Sequence, residues 1–289
     1  MRVVLALLSG LAAAQAEEIT VHDDTGRQVT LSAPARRIVS LAPHLTELLY
    51  AAGAGGSMVG AVDYSDYPPE AARLPRVGSH GRFDLERLLA LRPDLVVGWS
   101  SGNAGLNEGL ARRHDMALYI SEPRHLEDIA TTLQRLGRLT GNADSGRQAG
   151  EAFLRNLEVL RRSHADKRPV SLFYQMWDMP LMTLGGGHMV GDVIRLCGGR
   201  NIFEGLPQLA PPVDREAVLA ADPEVIVTSG VEGERPVWLE AWRKWPWLKA
   251  VKRERFLIIH PDLLQRQTPR IQEGARLLCA FLEQVRQQE

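Results

Sequence analysis

The sequence predicts an α/β protein of two similar lobes with mainly parallel sheets, joined by one long backbone helix. Three observations carry that prediction. Residues 85–99 (LERLLALRPDLVVGW) recur in pattern at 215–229 (REAVLAADPEVIVTS). Each copy closes on a short, continuously apolar run, as strands covered on both faces of a parallel sheet do. Between the copies, residues 144–167 contain no proline and set Ala149, Ala152, Phe153, Leu157 and Leu160 at helical spacing.

The chain opens MRVVLALLSGLAAAQA. Arg2 precedes an apolar stretch, and Ala14-Gln15-Ala16 fits the small-x-small cleavage rule, so residues 1–16 are expected to be an export leader rather than a short buried helix. No cysteine sits at the cleavage point, which argues against a lipid anchor. The first lobe is expected over residues 17–140, opening on the strand at 37–41 (RIVSL), and the second over 169–289, opening at 170–174 (VSLFY). In both repeats a helix is stopped by proline, Pro93 or Pro223, before its strand. A weaker pair, 47–60 and 192–205, reads as a helix closed by glycine at C′ and then a strand or turn. The segment 141–168 is either a surface helix of one domain or a rigid connector. The repeats on either side favour the connector, about 30 Å long if about 20 residues are helical.

Composition narrows the function. With 34 Lys+Arg against 35 Asp+Glu the formal charge is −1, which excludes a nucleic-acid binder working through a strong basic field. At 45% hydrophobic and 24% charged, the chain has what a packed core needs. Its two cysteines, Cys197 and Cys279, lack metal-site spacing; in an exported chain they are expected to be bridged, the alternative being two buried thiols. Under the loop-entropy model such a bridge contributes about 3–5 kcal/mol. No GxSxG, HExxH, Walker A or CxxC is present, and the eight histidines show no ligand spacing, so a metal-dependent hydrolase is a remote alternative. Gly185-Gly186-Gly187 lacks the lysine of a phosphate loop and reads as a turn before a helix starting near Met189. An export signal, two repeated lobes and no catalytic constellation point to a binding protein with no cofactor, its ligand held between the lobes.

The segments VDYSDYPPEA (62–71), LERLLALRPDLVVGWSSGN (85–103), CGGRNIF (197–203), VDREAVLAADPEVIVTSG (213–230) and PDLLQRQTPR (261–270) resemble the bilobal, helical-backbone substrate-binding proteins of ABC importers. Within that group they are most similar to periplasmic cobalamin-binding proteins, over about residues 19–286. The resemblance implies a monomeric periplasmic receptor that captures a corrinoid and delivers it to an ABC permease dimer with its ATPase subunits. Haem and ferric-siderophore receptors are the alternative, since they share the scaffold.

The resemblance also implies residue roles. Tyr64 matches an aromatic lying on the corrin, and a rigid ring suits a flat macrocycle; on residues alone it could equally pack on Tyr67-Pro68-Pro69. Trp99 ends a strand before Ser100-Ser101-Gly102-Asn103, at the carboxyl edge where ligands of open α/β sheets sit, its alternative being a core tryptophan. Trp177 faces the cleft from the second lobe, with Met176 competing for that register. Asp262 and Arg266 match a pair meeting the ligand's amides, or else are a plain i,i+4 pair. Such proteins carry tryptophan where this chain has His80, and another where it has Ala210. His80 is either a loop histidine or an axial nitrogen for a metal-centred ligand. Glu86 and Glu216, at equivalent places in the repeats, match acids that dock on arginines of the two permease copies; helix capping is the alternative. Trp245-Pro246-Trp247 is expected to pack a surface helix or to extend an apolar patch.

Overall fold

The computed structural model describes residues 18–79, 81–113, 116–230 and 237–288. The leader stretch 1–16 and His80 lie outside the described residues. The chain begins with an antiparallel hairpin, β1 (Ile19–His22) and β2 (Gln28–Leu31). β3 (Ile38–Ser40), α1 (Pro43–Ala51) and β4 (Met58–Ala61) follow. Next come a two-stranded pair, β5 (Gly78–Ser79) and β6 (Arg82–Phe83), then α2 (Leu85–Ala90) and β7 (Leu95–Trp99). α3 (Ala104–Ala111), β8 (Ala117–Ser121) and α4 (Leu126–Leu139) lead into the long α5 (Ala143–His164). The second half runs β9 (Val170–Gln175), α6 (Met189–Leu196), β10 (Gly199–Asn201), α7 (Arg215–Ala221) and β11 (Val225–Ser229). Short α8 (Val237–Glu240) and α9 (Lys249–Lys252), then β12 (Phe256–Ile259), α10 (Pro261–Leu264) and α11 (Ile271–Gln287) complete it.

The two main sheets have the same topology. One is ordered β4-β3-β7-β8 and the other β10-β9-β11-β12, with every pairing parallel. The two copies of the sequence repeat, α2–β7 and α7–β11, therefore occupy equivalent places. Each helix ends on a left-handed residue, Arg92 (φ 46°) or Asp222 (φ 43°), followed by proline. The ring of Pro93 or Pro223 pushes the residue before it out of the right-handed helical well, which ends the helix on schedule. The acid after each proline then reaches the neighbouring strand. Asp94 accepts the backbone N–H groups of Arg36 and Arg37 at 2.8 and 2.9 Å, and Glu224 accepts that of Ser171 at 2.9 Å. In the weaker repeat, Gly53 (φ 87°) and Gly198 (φ 67°) are the C′ residues of α1 and α6, where a left-handed backbone favours glycine. On α2, Leu88 is fully buried and Leu89 packs beside it, while Leu85 in the first turn is 43% exposed.

Alternate strand residues go to different cores. Val39 and Val96 pack on the outer side of the first sheet, Phe173 and Ile226 on the outer side of the second. Ile38, Leu95 and Val97, with Leu172, Val225 and Val227, all join one continuous core that also takes in Leu133, Phe153 and Leu157. A slab of helices thus sits between the sheets. α5, 22 residues and about 33 Å long, is its spine, presenting Phe153 and Leu157 inward and salt-bridged Arg147, Glu158 and Arg162 outward. Gly146 of α5 and Gly137 of α4 let those two helices touch: a Cβ on Gly146 would lie 2.5 Å from the Leu133 carbonyl oxygen. Cys197 at the end of α6 is disulfide-bonded to Cys279 on α11, tying the last helix to the second lobe. Among the described residues, no helix is long and apolar enough to cross a membrane.

Candidate functional site

Parallel strands aim their carboxyl ends at one edge of a sheet, and two such edges face each other here. Between them lies a cavity of about 320 Å³, walled by Trp99 and Glu122 from the first lobe and Tyr174, Met176, His188 and Gln265 from the second. A larger groove, about 560 Å³, runs alongside between the start of α4 and α6. Several of its charged walls pair with each other, Arg161 with Glu127 at 2.7 Å and His125 with Asp192 at 3.1 Å, and no aromatic side chain other than histidine lines it.

Trp99 is the best-fixed wall. Its N–H donates to Asn103 Oδ1 at 2.7 Å, and Asn107 Nδ2 donates to its carbonyl at 2.8 Å. A Cβ on Gly102 would fall 1.9 Å from the indole, so only glycine leaves room for the ring over this turn. Behind it, His44 packs edge-on at 5.2 Å between ring centroids. The indole Nε1–H is buried without a partner among the described residues.

Across the cleft, Tyr174 forms the floor, its hydroxyl 2.6 Å from Ser229 Oγ, and burial pushes its pKa up. Met176 stands in the wall, while Trp177 turns outward, 60% exposed with its indole N–H on the Met179 carbonyl. His188 caps α6: its Nδ1 accepts from Val190 N–H at 3.1 Å, which puts the neutral ring's proton on Nε2, and burial lowers its pKa. Ala210 lines the same cavity, so the position compared with a tryptophan carries only a methyl group there.

The remaining expected residues lie at the seam beside the cleft. Tyr64 is 76% exposed in a left-handed conformation (φ 62°), on the loop leaving β4. Asp262 pairs with Arg266 Nε at 2.9 Å. Arg266 then crosses to the first lobe, donating to Glu47 Oε1 at 2.8 Å, Asp66 at 3.3 Å and the Tyr64 carbonyl at 3.3 Å. Arg270 also reaches Glu47, at 3.3 Å. Burial holds the Glu47 carboxyl above its usual range in spite of both arginines.

Far out on each lobe, Glu86 and Glu216 are the exposed second residues of α2 and α7, with no ion-pair or hydrogen-bond partner among the described residues. Asp84 already caps α2 through Arg87 N–H at 2.9 Å, so Glu86 is not needed there as the cap. Trp245 lies against buried Trp242 with the rings tilted at 50° and Arg215 over both, while Trp247 is 66% exposed.

The family model for periplasmic binding proteins matches residues 38–263, spanning both sheets and the cleft. The chain belongs to the periplasmic binding protein family. Among its relatives, the vitamin B12-binding protein of Vibrio cholerae is 37% identical over 257 residues, covering 88% of this chain and 92% of that protein. That of Yersinia pestis is 35% identical over 251 residues, 87% of this chain and 88% of the other. The crystal structure of the periplasmic vitamin B12-binding protein of V. cholerae superposes with a TM-score of 0.77 at 36% identity, covering 87% of this chain and 98% of that one. These relatives are binding proteins, not enzymes. For a periplasmic binding protein the cleft is the working part, and of its named walls Glu122, Tyr174, His188 and Gln265 escaped the sequence. For two of them the signal was hidden, since Tyr174 sits inside an apolar strand and His188 beside a glycine run that reads as a turn.

Proposed function

We propose that this chain captures a corrinoid, cobalamin, in the cleft between its lobes and delivers it to the permease dimer of an ABC importer driven by ATPase subunits. The observation that carries the reading is a cleft of rigid aromatic and thioether walls, edged by the uncharged amides of Gln265 and Gln267, in a chain similar along most of its length to vitamin B12-binding proteins. Trp99 and Tyr64 give flat faces to the macrocycle, Trp177 covers its rim, and Asp262 with Arg266 meets its amides. His80 is either a loop histidine or an axial nitrogen for cobalt, and the absorption spectrum of the complex with and without His80→Ala decides between them. Glu86 and Glu216 dock on the permease. Residues 1–16 are removed on export, leaving lobes at 17–140 and 169–289 joined by 141–168 as a periplasmic monomer. Calorimetric titration of the mature chain with cyanocobalamin, dicyanocobinamide, haemin and a ferric hydroxamate tests the ligand. One-to-one binding of cyanocobalamin, weakened at least tenfold (about 1.4 kcal/mol) by Trp99→Ala, is expected. Heat from haemin or the hydroxamate and none from either corrinoid would refute it.

A further inference from the structure

Glu47 occupies an unusual place: a carboxylate on α1 of the first lobe, its side chain only 3% exposed, whose cationic partners both come from the second lobe. Arg266 Nη1 lies 2.8 Å and Arg270 Nη1 3.3 Å from the same oxygen, Oε1. Both arginines are themselves well covered, with side chains 16% and 20% exposed. A carboxylate is seldom so far out of water unless charges and hydrogen bonds hold it there. Each arginine of the cluster also grips an aromatic residue beside the cleft. Arg266 Nη2 donates to the carbonyl of Tyr64, and the Arg270 guanidinium lies over the Tyr67 ring at 4.1 Å. One turn before Glu47, His44 meets Trp99 edge-on.

We propose that Glu47 is a positioning residue, the pin of an inter-lobe bolt with Arg266 and Arg270 that sets the gap between the lobes and the pose of Tyr64, Tyr67 and Trp99. Glu47 acts through these neighbours and touches no ligand. The same gap sets the separation of Glu86 and Glu216, so one buried carboxylate fixes both the width of the cleft and the spacing of two exposed acids on different lobes. Losing its charge leaves Arg266 with Asp262 of its own lobe and with Asp66 and the Tyr64 carbonyl of the first, so the lobes stay joined but lose the buried charge that fixes their gap.

The test is a distance measurement on the free protein. Spin labels attached through Glu86→Cys and Glu216→Cys, with the native disulfide intact, report the inter-lobe distance by pulsed electron resonance. A narrow distribution is expected with Glu47 present, and one at least twice as broad in Glu47→Gln. Arg270→Gln, at the edge of the cluster, is expected to broaden it to a lesser degree and carries the test if Glu47→Gln does not fold. On the cobalamin reading, which this arm alone rests upon, Glu47→Gln also binds cyanocobalamin about tenfold more weakly through faster release. The distance arm contains neither ligand nor permease, so its failure is separate from failure of that reading. An unchanged distribution in the folded variants overturns the proposal.

Discussion

In the seam, the imidazole of His44 is buried. Burial first, and the Arg266 guanidinium second, lower its pKa from 6.5 to about 3. In the unfolded chain the same ring takes up a proton below about pH 6.5. Between those two values the unfolded state binds more protons than the folded one, so stability contributed by His44 is present above pH 6.5 and is lost as the pH falls toward 3. The slope from this one group approaches about 1.4 kcal/mol per pH unit. Urea unfolding at pH 7 and pH 4.5 should show a larger loss for the parent chain than for His44→Gln, which cannot take up that proton; equal losses would remove His44 as the acid-sensitive group. At this scale the sequence was only partly readable. Trp99 could be placed at the sheet edge, against a core position as the alternative, because it ends a strand and is followed by Ser-Ser-Gly-Asn. Glu47 and His44 could not, since a helix such as ELLYAAG shows its polar residues without showing what the other half of the chain brings to them.

Helices and strands were more legible. Proline-free spacing revealed α5, and proline-terminated repeats revealed α2–β7 and α7–β11, because local sterics dictate both. What stayed hidden was each element's partner. A glycine inside a helix reads as a weakness, yet Gly146 exists for the backbone of α4, where an added Cβ would also come within 3.0 Å of the Gly137 Cα. Gly146→Val should therefore force α4 and α5 apart and destabilise the chain by about 1–3 kcal/mol. Gly109→Ala, on α3 with open space around it, should stabilise by about 0.5–1 kcal/mol. Thermal melts of the two variants moving in the same direction would contradict this account of the crossing. Asp94 and Glu224 make the complementary point: the repeat displays them, but only the folded sheets reveal that they hold the amino ends of neighbouring strands.

For the whole molecule, equivalent topology puts Glu86 and Glu216 at matched helix starts on separate lobes, a pattern that suits a two-fold partner offering one basic socket twice. Reversing both charges, Glu86→Lys with Glu216→Lys, should abolish transporter-dependent uptake while leaving cyanocobalamin affinity within twofold, as measured by radiolabel accumulation and by calorimetry. Retained uptake would remove the docking role. The two-lobed architecture was readable from the duplication alone; the strand order, and the fact that one core serves both sheets, were not, because periodicity tells which face of a strand is buried and not which neighbour buries it.

That shared core bears on how cargo leaves. Ile38 and Val97 of one lobe and Leu172 and Val227 of the other belong to the same apolar mass, so prying the halves apart would wet hydrocarbon at roughly 25 cal/mol for every Å² exposed. Thermal agitation alone has little access to such a wide-open state. On the docking role proposed for Glu86 and Glu216, the work of emptying the receptor comes from outside it, from a transporter that wedges the jaws while anchored at their tips.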